Sequence, residues 1–124
     1  MLDKDLKNIL KTELAHYNEY QLKLAAFHAR ESVLGLDCSE VSLYIRRIER
    51  ICLAVDYVFT CISPMKERLI REVYIHRVTS IKRFAMMNYV DISSAYRWSN
   101  EFFTALAVEL GYIDSRCVSL PEPY

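Results

Sequence analysis

Side chains able to do covalent or metal chemistry are few in this sequence, and they are not spaced to act together. His16, His28 and His76 stand alone, with no HxxxH or HExxH pair, so no metal site is expected from them. Cys38, Cys52, Cys61 and Cys117 fall at spacings of 14, 9 and 56 without a CxxC pair. That pattern marks reduced, small apolar residues, not zinc ligands or a disulfide framework. Gly35 and Gly111 are the only glycines, so a phosphate-cradling loop is not available, and no GxSxG turn occurs. The expectation is a protein that is no enzyme and uses no metal and no cofactor.

The polar residues that do gather are suited to reading a surface. Ser93, Ser94, Arg97, Asn100 and Glu101 fall at the start of a predicted helix, off its apolar face. From there they reach base edges or phosphates, and the Arg97 guanidinium can grip a guanine with two parallel hydrogen bonds. Arg77, Lys82 and Arg83 come just before, where a bracing segment usually meets phosphate. Tyr96 and Trp98 are read first as core or interface anchors, with stacking on bases or sugars as the alternative.

The elements that must position these groups are helices. The chain has 124 residues, 52% hydrophobic, with two Gly and three Pro, which fits an all-α domain with a real core. A first helix over about 3–33 is predicted from the stripe Leu6, Leu10, Leu14, Tyr17, Tyr20, Leu24 and Phe27, stopped by Gly35. A second, capped by Ser39, carries Val41, Tyr44, Ile48, Ile51, Val55, Val58 and Ile62, a 3-4 repeat. This seam packs either against the first helix as an antiparallel hairpin or against the same helix of another subunit. Arg46, Arg47 and Arg50 lie off the seam, as a solvated face or, alternatively, a phosphate-contacting ridge.

Ser63-Pro64 predicts a helix start, and that helix runs to about His76 over Met65, Leu69, Ile70 and Val73. A short helix follows from a Thr79/Ser80 cap to about Met87, burying Ile81, Phe84 and Ala85. After a turn at 88–91, a last helix runs from a Ser93 cap to Leu110, where Gly111 ends it. Its inner face is Ala95, Ser99, Phe102, Leu106 and Leu110, with Ile92 plugging the joint. Short helix, tight turn and longer helix, behind a bracing helix, is the layout of a helix-turn-helix unit. The predicted organisation is a helical pair over 1–62, serving as hairpin or oligomerisation region, the helix-turn-helix region over 63–113, and a flexible tail over 114–124.

Sixteen Lys and Arg against 16 Asp and Glu give no net charge, which by itself argues against nucleic acid. The distribution reverses that inference. The net charge is −1 over 1–62, +3 over 63–104 and −2 over 105–124, so the surplus coincides with the proposed reading unit. Three charges are few, and a homodimer or higher homo-oligomer placing two units on one duplex would add the missing affinity. With no stretch of about 18 apolar residues and no basic-then-apolar start, a cytoplasmic protein with no membrane partner is expected.

The segments Glu67–Ile75, Asp91-Ile92-Ser93-Ser94-Ala95-Tyr96-Arg97-Trp98, Asn100-Glu101-Phe102-Phe103 and Glu109-Leu110-Gly111-Tyr112 resemble the RinA-type phage transcriptional activators and the related ArpU-type late regulators. The similarity covers about 63–113 and, more loosely, His16-Tyr17-Asn18-Glu19-Tyr20. The run into Tyr96-Arg97-Trp98 also looks like the helix-turn-helix of region 4 in RNA polymerase sigma factors. The resemblance implies a phage or prophage regulator in a bacterial host, bound to double-stranded DNA upstream of late or packaging genes and assisting the host RNA polymerase. It carries a recognition role to Ser93, Ser94, Arg97 and Asn100. The alternative function is a helical adaptor, or a small packaging-terminase-like protein, working through protein contacts.

Overall fold

A computed structural model describes residues 3–34 and 43–113, and every element among them is helical. These are α1 (Lys4–Ala15), α2 (Tyr17–Leu34), α3 (Leu43–Thr60), α4 (Pro64–Ile70) continued by a π-helical turn (Arg71–Ile75), α5 (Ile81–Met87) and α6 (Ile92–Glu109). The all-α expectation holds. No helix among the described residues is long and apolar enough to cross a membrane. The Gly35 stop, the Ser39 cap, Val41, Cys38, Cys117 and the 114–124 tail lie outside the described residues.

The predicted first helix is two helices. His16 sits between them at φ −97° and ψ 3°, its N–H donating to the Glu13 carbonyl in a tightened turn. No Gly or Pro marks the break, and the apolar stripe runs through it undisturbed. The cause is tertiary, because α1 packs on the π turn and α6 whereas α2 packs on α3. One straight rod could not serve both. Leu10, Leu14, Tyr17, Tyr20 and Leu24 are all buried and Leu6 is partly buried against them, so the stripe continues across the break, whereas Phe27 at its far end is only half-buried and joins neither core cluster.

α2 and α3 pack on each other, and α3 also packs on α6: Ile48, Ile51, Val55 and Val58 of the 3-4 seam are buried in the core these helices share. Buried Glu13 fastens the corner, accepting from the Tyr20 hydroxyl at 2.7 Å and from the Arg47 guanidinium. Tyr17 donates its hydroxyl to Asp56 across the pair. Cys52 is buried, as a small hydrophobe should be, and desolvation followed by the nearby Asp56 pushes its thiol up to about 11. Cys61 differs, lying exposed at the end of α3.

Ser63 caps α4 by accepting from the Lys66 N–H, with Pro64 at the first helical position. The π turn that follows has a packing reason. Residues five apart diverge by about 140° on a regular α-helix but nearly align on a wider turn. Here Ile70 and Ile75 both enter the main core, while Leu69 and Val73 face a second, smaller cluster.

α6 joins the two clusters. Phe102, Phe103, Ala105, Leu106, Ala107 and Leu110 belong to the main core, and Ala95 and Trp98 to the smaller one. Its buried Ser99 is satisfied by the Tyr74 hydroxyl at 2.6 Å. Gly111 then ends the helix at φ 78°, with the Tyr112 N–H reaching back to the Ala107 carbonyl at 2.9 Å.

Candidate nucleic-acid interface

The smaller cluster holds α4, α5 and the start of α6 together. Leu69, Phe84, Ala85 and Ala95 are fully enclosed, with Met65, Val73, Ile81, Val90 and Trp98 around them. Alanine at 85 and 95, on helices that pack directly, leaves only a methyl group at each position and so permits close approach. Ser80 caps α5, accepting from the Arg83 N–H at 3.1 Å. Arg68 of α4 donates to the Asn88 side chain and lies over the Phe84 ring, and Asn88 in turn donates to the Phe84 carbonyl at 2.8 Å. The brace therefore grips the end of α5 at the turn.

The turn spans 88–91. The Val90 N–H bonds the Ala85 carbonyl at 2.9 Å, which requires a left-handed residue at Tyr89, found at φ 57°. Val90, not Ile92, fills the joint: Ile92 is 38% exposed and already belongs to α6. Asp91, not Ser93, stands at the cap position, and its carboxylate accepts from the Ser93 hydroxyl instead of a backbone N–H. The Ile92 and Ser93 expectations are corrected accordingly. The cause is a helix start two residues earlier than the apolar pattern implied.

Ser93, Tyr96 and Arg97 face outward from the first turns of α6, and Ser94 is half-buried. Arg97 is tethered loosely to Glu101 at 3.7 Å, and Glu101, with its side chain only 19% exposed, also stands 4.0 Å from Lys66. Asn100 accepts from Lys7 of α1. Ser93 and Arg97 thus share the open face, whereas Asn100 is held by α1 and Glu101 is turned toward α4. Lys66 also lies over the Trp98 ring, which is packed in the cluster as an anchor.

Pairing decides where the positive surplus resides. Arg68 bonds Glu72 at 2.7 Å, Arg71 bonds Glu67 at 2.8 Å, and Lys66 and Arg97 share Glu101. Arg77, Lys82 and Arg83 are exposed and have no carboxylate partner among the described residues. Arg77 also occupies the left-handed region, at φ 57°, where the π turn ends.

Two participants escaped the sequence reading. Lys7 reaches α6 across 93 residues, and nothing local signals that contact. Tyr89 is 97% exposed at the tip of the turn, in a conformation that a Gly or Asn would have advertised. Arg46, Arg47 and Arg50 are divided: Arg47 holds Glu13, Arg50 donates to the Leu110 carbonyl at 2.7 Å, and Arg46 is exposed.

No protein-family model, curated protein or solved structure matches this chain.

Proposed function

We propose that the chain is a DNA-binding transcriptional regulator of a phage or prophage, activating late or packaging genes. The observation that carries this reading is the trio of exposed cations, Arg77, Lys82 and Arg83, which have no carboxylate partner among the described residues, on the segment bracing the exposed start of α6. In this reading α4, α5 and α6 form a helix-turn-helix head like that of sigma region 4. Its α6 enters the major groove of double-stranded DNA, Ser93, Ser94 and Arg97 meet base edges, and the trio meets phosphates. Asn100 and Glu101 act in support, on the side of α6 held by Lys7 and Lys66. The likeness of 63–113 to RinA-type and ArpU-type regulators supports the assignment to late genes and a contact with bacterial RNA polymerase.

A single head bearing three exposed cations binds weakly and salt-sensitively, so the reading includes a homodimer or higher homo-oligomer. The test is a gel-shift titration of the full chain against short duplexes from its source genome. Arg97→Ala relaxes sequence preference, and Lys82→Ala weakens all duplexes alike while lowering the salt dependence. Equally weak binding to every sequence at low salt overturns the proposal.

A second reading, a helical adaptor without DNA, is favoured by Met86 and Met87, exposed beside Lys82 and Arg83. Retention of a protein partner after both Arg97→Ala and Lys82→Ala, with no DNA bound, selects it.

A further inference from the structure

The open ridge of α6 is flanked on both sides, and the two flanks differ in charge. At about 100° per residue, Asn100 and Phe103 lie to one side of Arg97, and Trp98 and Glu101 to the other. Lys66 of α4 reaches the second side, over the Trp98 ring, where Glu101 offsets it at 4.0 Å. Lys7 of α1 reaches the first, donating to Asn100 and lying over the Phe103 ring. Lys11 follows one helical turn later and lies over the ring of Tyr74, whose hydroxyl is bonded to Ser99 of α6. An open cleft of about 310 Å³ begins there between α1 and the π turn. Lys11 and Thr12 stand on one wall, Tyr74 and Arg77 on the other.

Among the described residues no carboxylate pairs with Lys7, Lys11 or Arg77. Glu13 of α1 is turned inward and held by Tyr20 and Arg47. Asp5 lies about 200° round the helix from Lys7. Lys7 and Lys11 are both half-buried, and desolvation, then the Lys11 charge, holds the Lys7 amine below its ordinary value. Two ammonium groups four residues apart are thus kept together at a cost that an anion beside them would relieve.

We infer that the cleft between α1 and the π turn is a phosphate site, filled by the backbone of a bound duplex, so that α1 extends the DNA surface of the head. The inference rests on the DNA-binding reading. A helix lying in the major groove has a phosphate strand along each side, and cations on its flanks meet those strands. On the α4 flank Glu101 opposes such a contact. On the α1 flank Lys11 and Arg77 line opposite walls of the cleft, and Lys7 carries the positive charge on to Asn100 beside Arg97. A free phosphate would meet the same two walls. The unbroken course from the cleft to the exposed ridge of α6 favours the duplex as its source.

The test is a fluorescence-anisotropy titration of the full chain with short duplexes from its source genome, repeated over a range of salt. Lys11→Gln is expected to weaken every duplex alike, with the helical signal and melting temperature of the folded chain retained. Its plot of log affinity against log salt should be shallower by about one, so that raising salt fourfold costs it about threefold less affinity than wild type. Lys11→Arg keeps wild-type binding. Arg46→Gln makes the same change of charge beside Leu110 and Tyr112, about 20 Å along α6 from Arg97, and leaves binding unchanged. A Lys11→Gln chain that matches wild type in affinity and salt dependence, or an Arg46→Gln chain that loses as much, overturns the inference and leaves the proposed function standing. A wild type that binds no duplex refutes the proposed function and the duplex as the source. Inorganic phosphate then decides the cleft itself. Amide NMR shifts of Thr12 and Arg77 at millimolar phosphate, absent in Lys11→Gln, retain a site for the free ion, and no shift in wild type overturns the site as well.

Discussion

Tyr89 is the residue at which local preference and fold disagree most openly. An L-residue in the left-handed region is disfavoured by roughly 1–2 kcal/mol, and glycine escapes that penalty at some cost in unfolded-chain entropy. With its side chain almost wholly in solvent, Tyr89 gains no packing in exchange. Tyr89→Gly is therefore expected to raise stability by about 0.5–1 kcal/mol in a denaturant titration. Tyr17 makes a second prediction, on pH. Desolvation, and then the hydrogen bond to the Asp56 carboxylate, pushes its phenol up to about 12 from an ordinary 10.0. The fold favours the neutral phenol, so this contribution is complete below pH 10 and is lost as the pH climbs through about 12. Melting temperatures should hold to the foot of that window and fall across it, less steeply in Tyr17→Phe. At this scale the sequence was readable wherever burial follows periodicity, as at Phe84, Ala85 and Ala95. It was silent on Tyr89, because tyrosine, unlike glycine or asparagine, does not announce a left-handed turn, and on the Lys7–Asn100 contact, because the two residues are remote in the chain.

Helix ends were legible where chemistry marks them. Ser63-Pro64, Ser80 and Gly111 all stand where a cap, a first-turn proline or a left-handed stop is needed. The break at His16 and the π turn at Arg71–Ile75 had no such marks, since both arise from what the helices pack against. The π turn has a measurable consequence. Ile75 reaches the main core only because the wider turn brings it round to the side of Ile70. Ile75→Ala should destabilise the chain by about 2–4 kcal/mol in chemical denaturation. Val78→Ala, three residues on at an exposed position, should stay within about 0.5 kcal/mol.

On the scale of the whole molecule, the expected division between 1–62 and 63–113 meets a continuous piece of structure. α6 starts in the small cluster with Ala95 and finishes in the main core with Phe102, Phe103, Leu106 and Leu110. A fragment of residues 63–113 would leave those four side chains uncovered by α1 and α3, and it is expected to give neither a cooperative melt nor dispersed amide NMR signals. The intact chain should unfold in one transition seen alike by far-ultraviolet circular dichroism and by Trp98 fluorescence. The pattern of apolar residues gave the helices but not this sharing, because a stripe along one helix does not say how many neighbours divide it. The shared helix also bears on descent. A lineage carrying this fold can alter residues 93, 96 and 97 one at a time without disturbing the interior. An exchange of residues 63–113 with another gene would bring in α6 with half of its length lacking the core that it enters here. Diversification in such proteins should run through point substitution on the open face of α6, with recombination breakpoints kept away from residues 92–109.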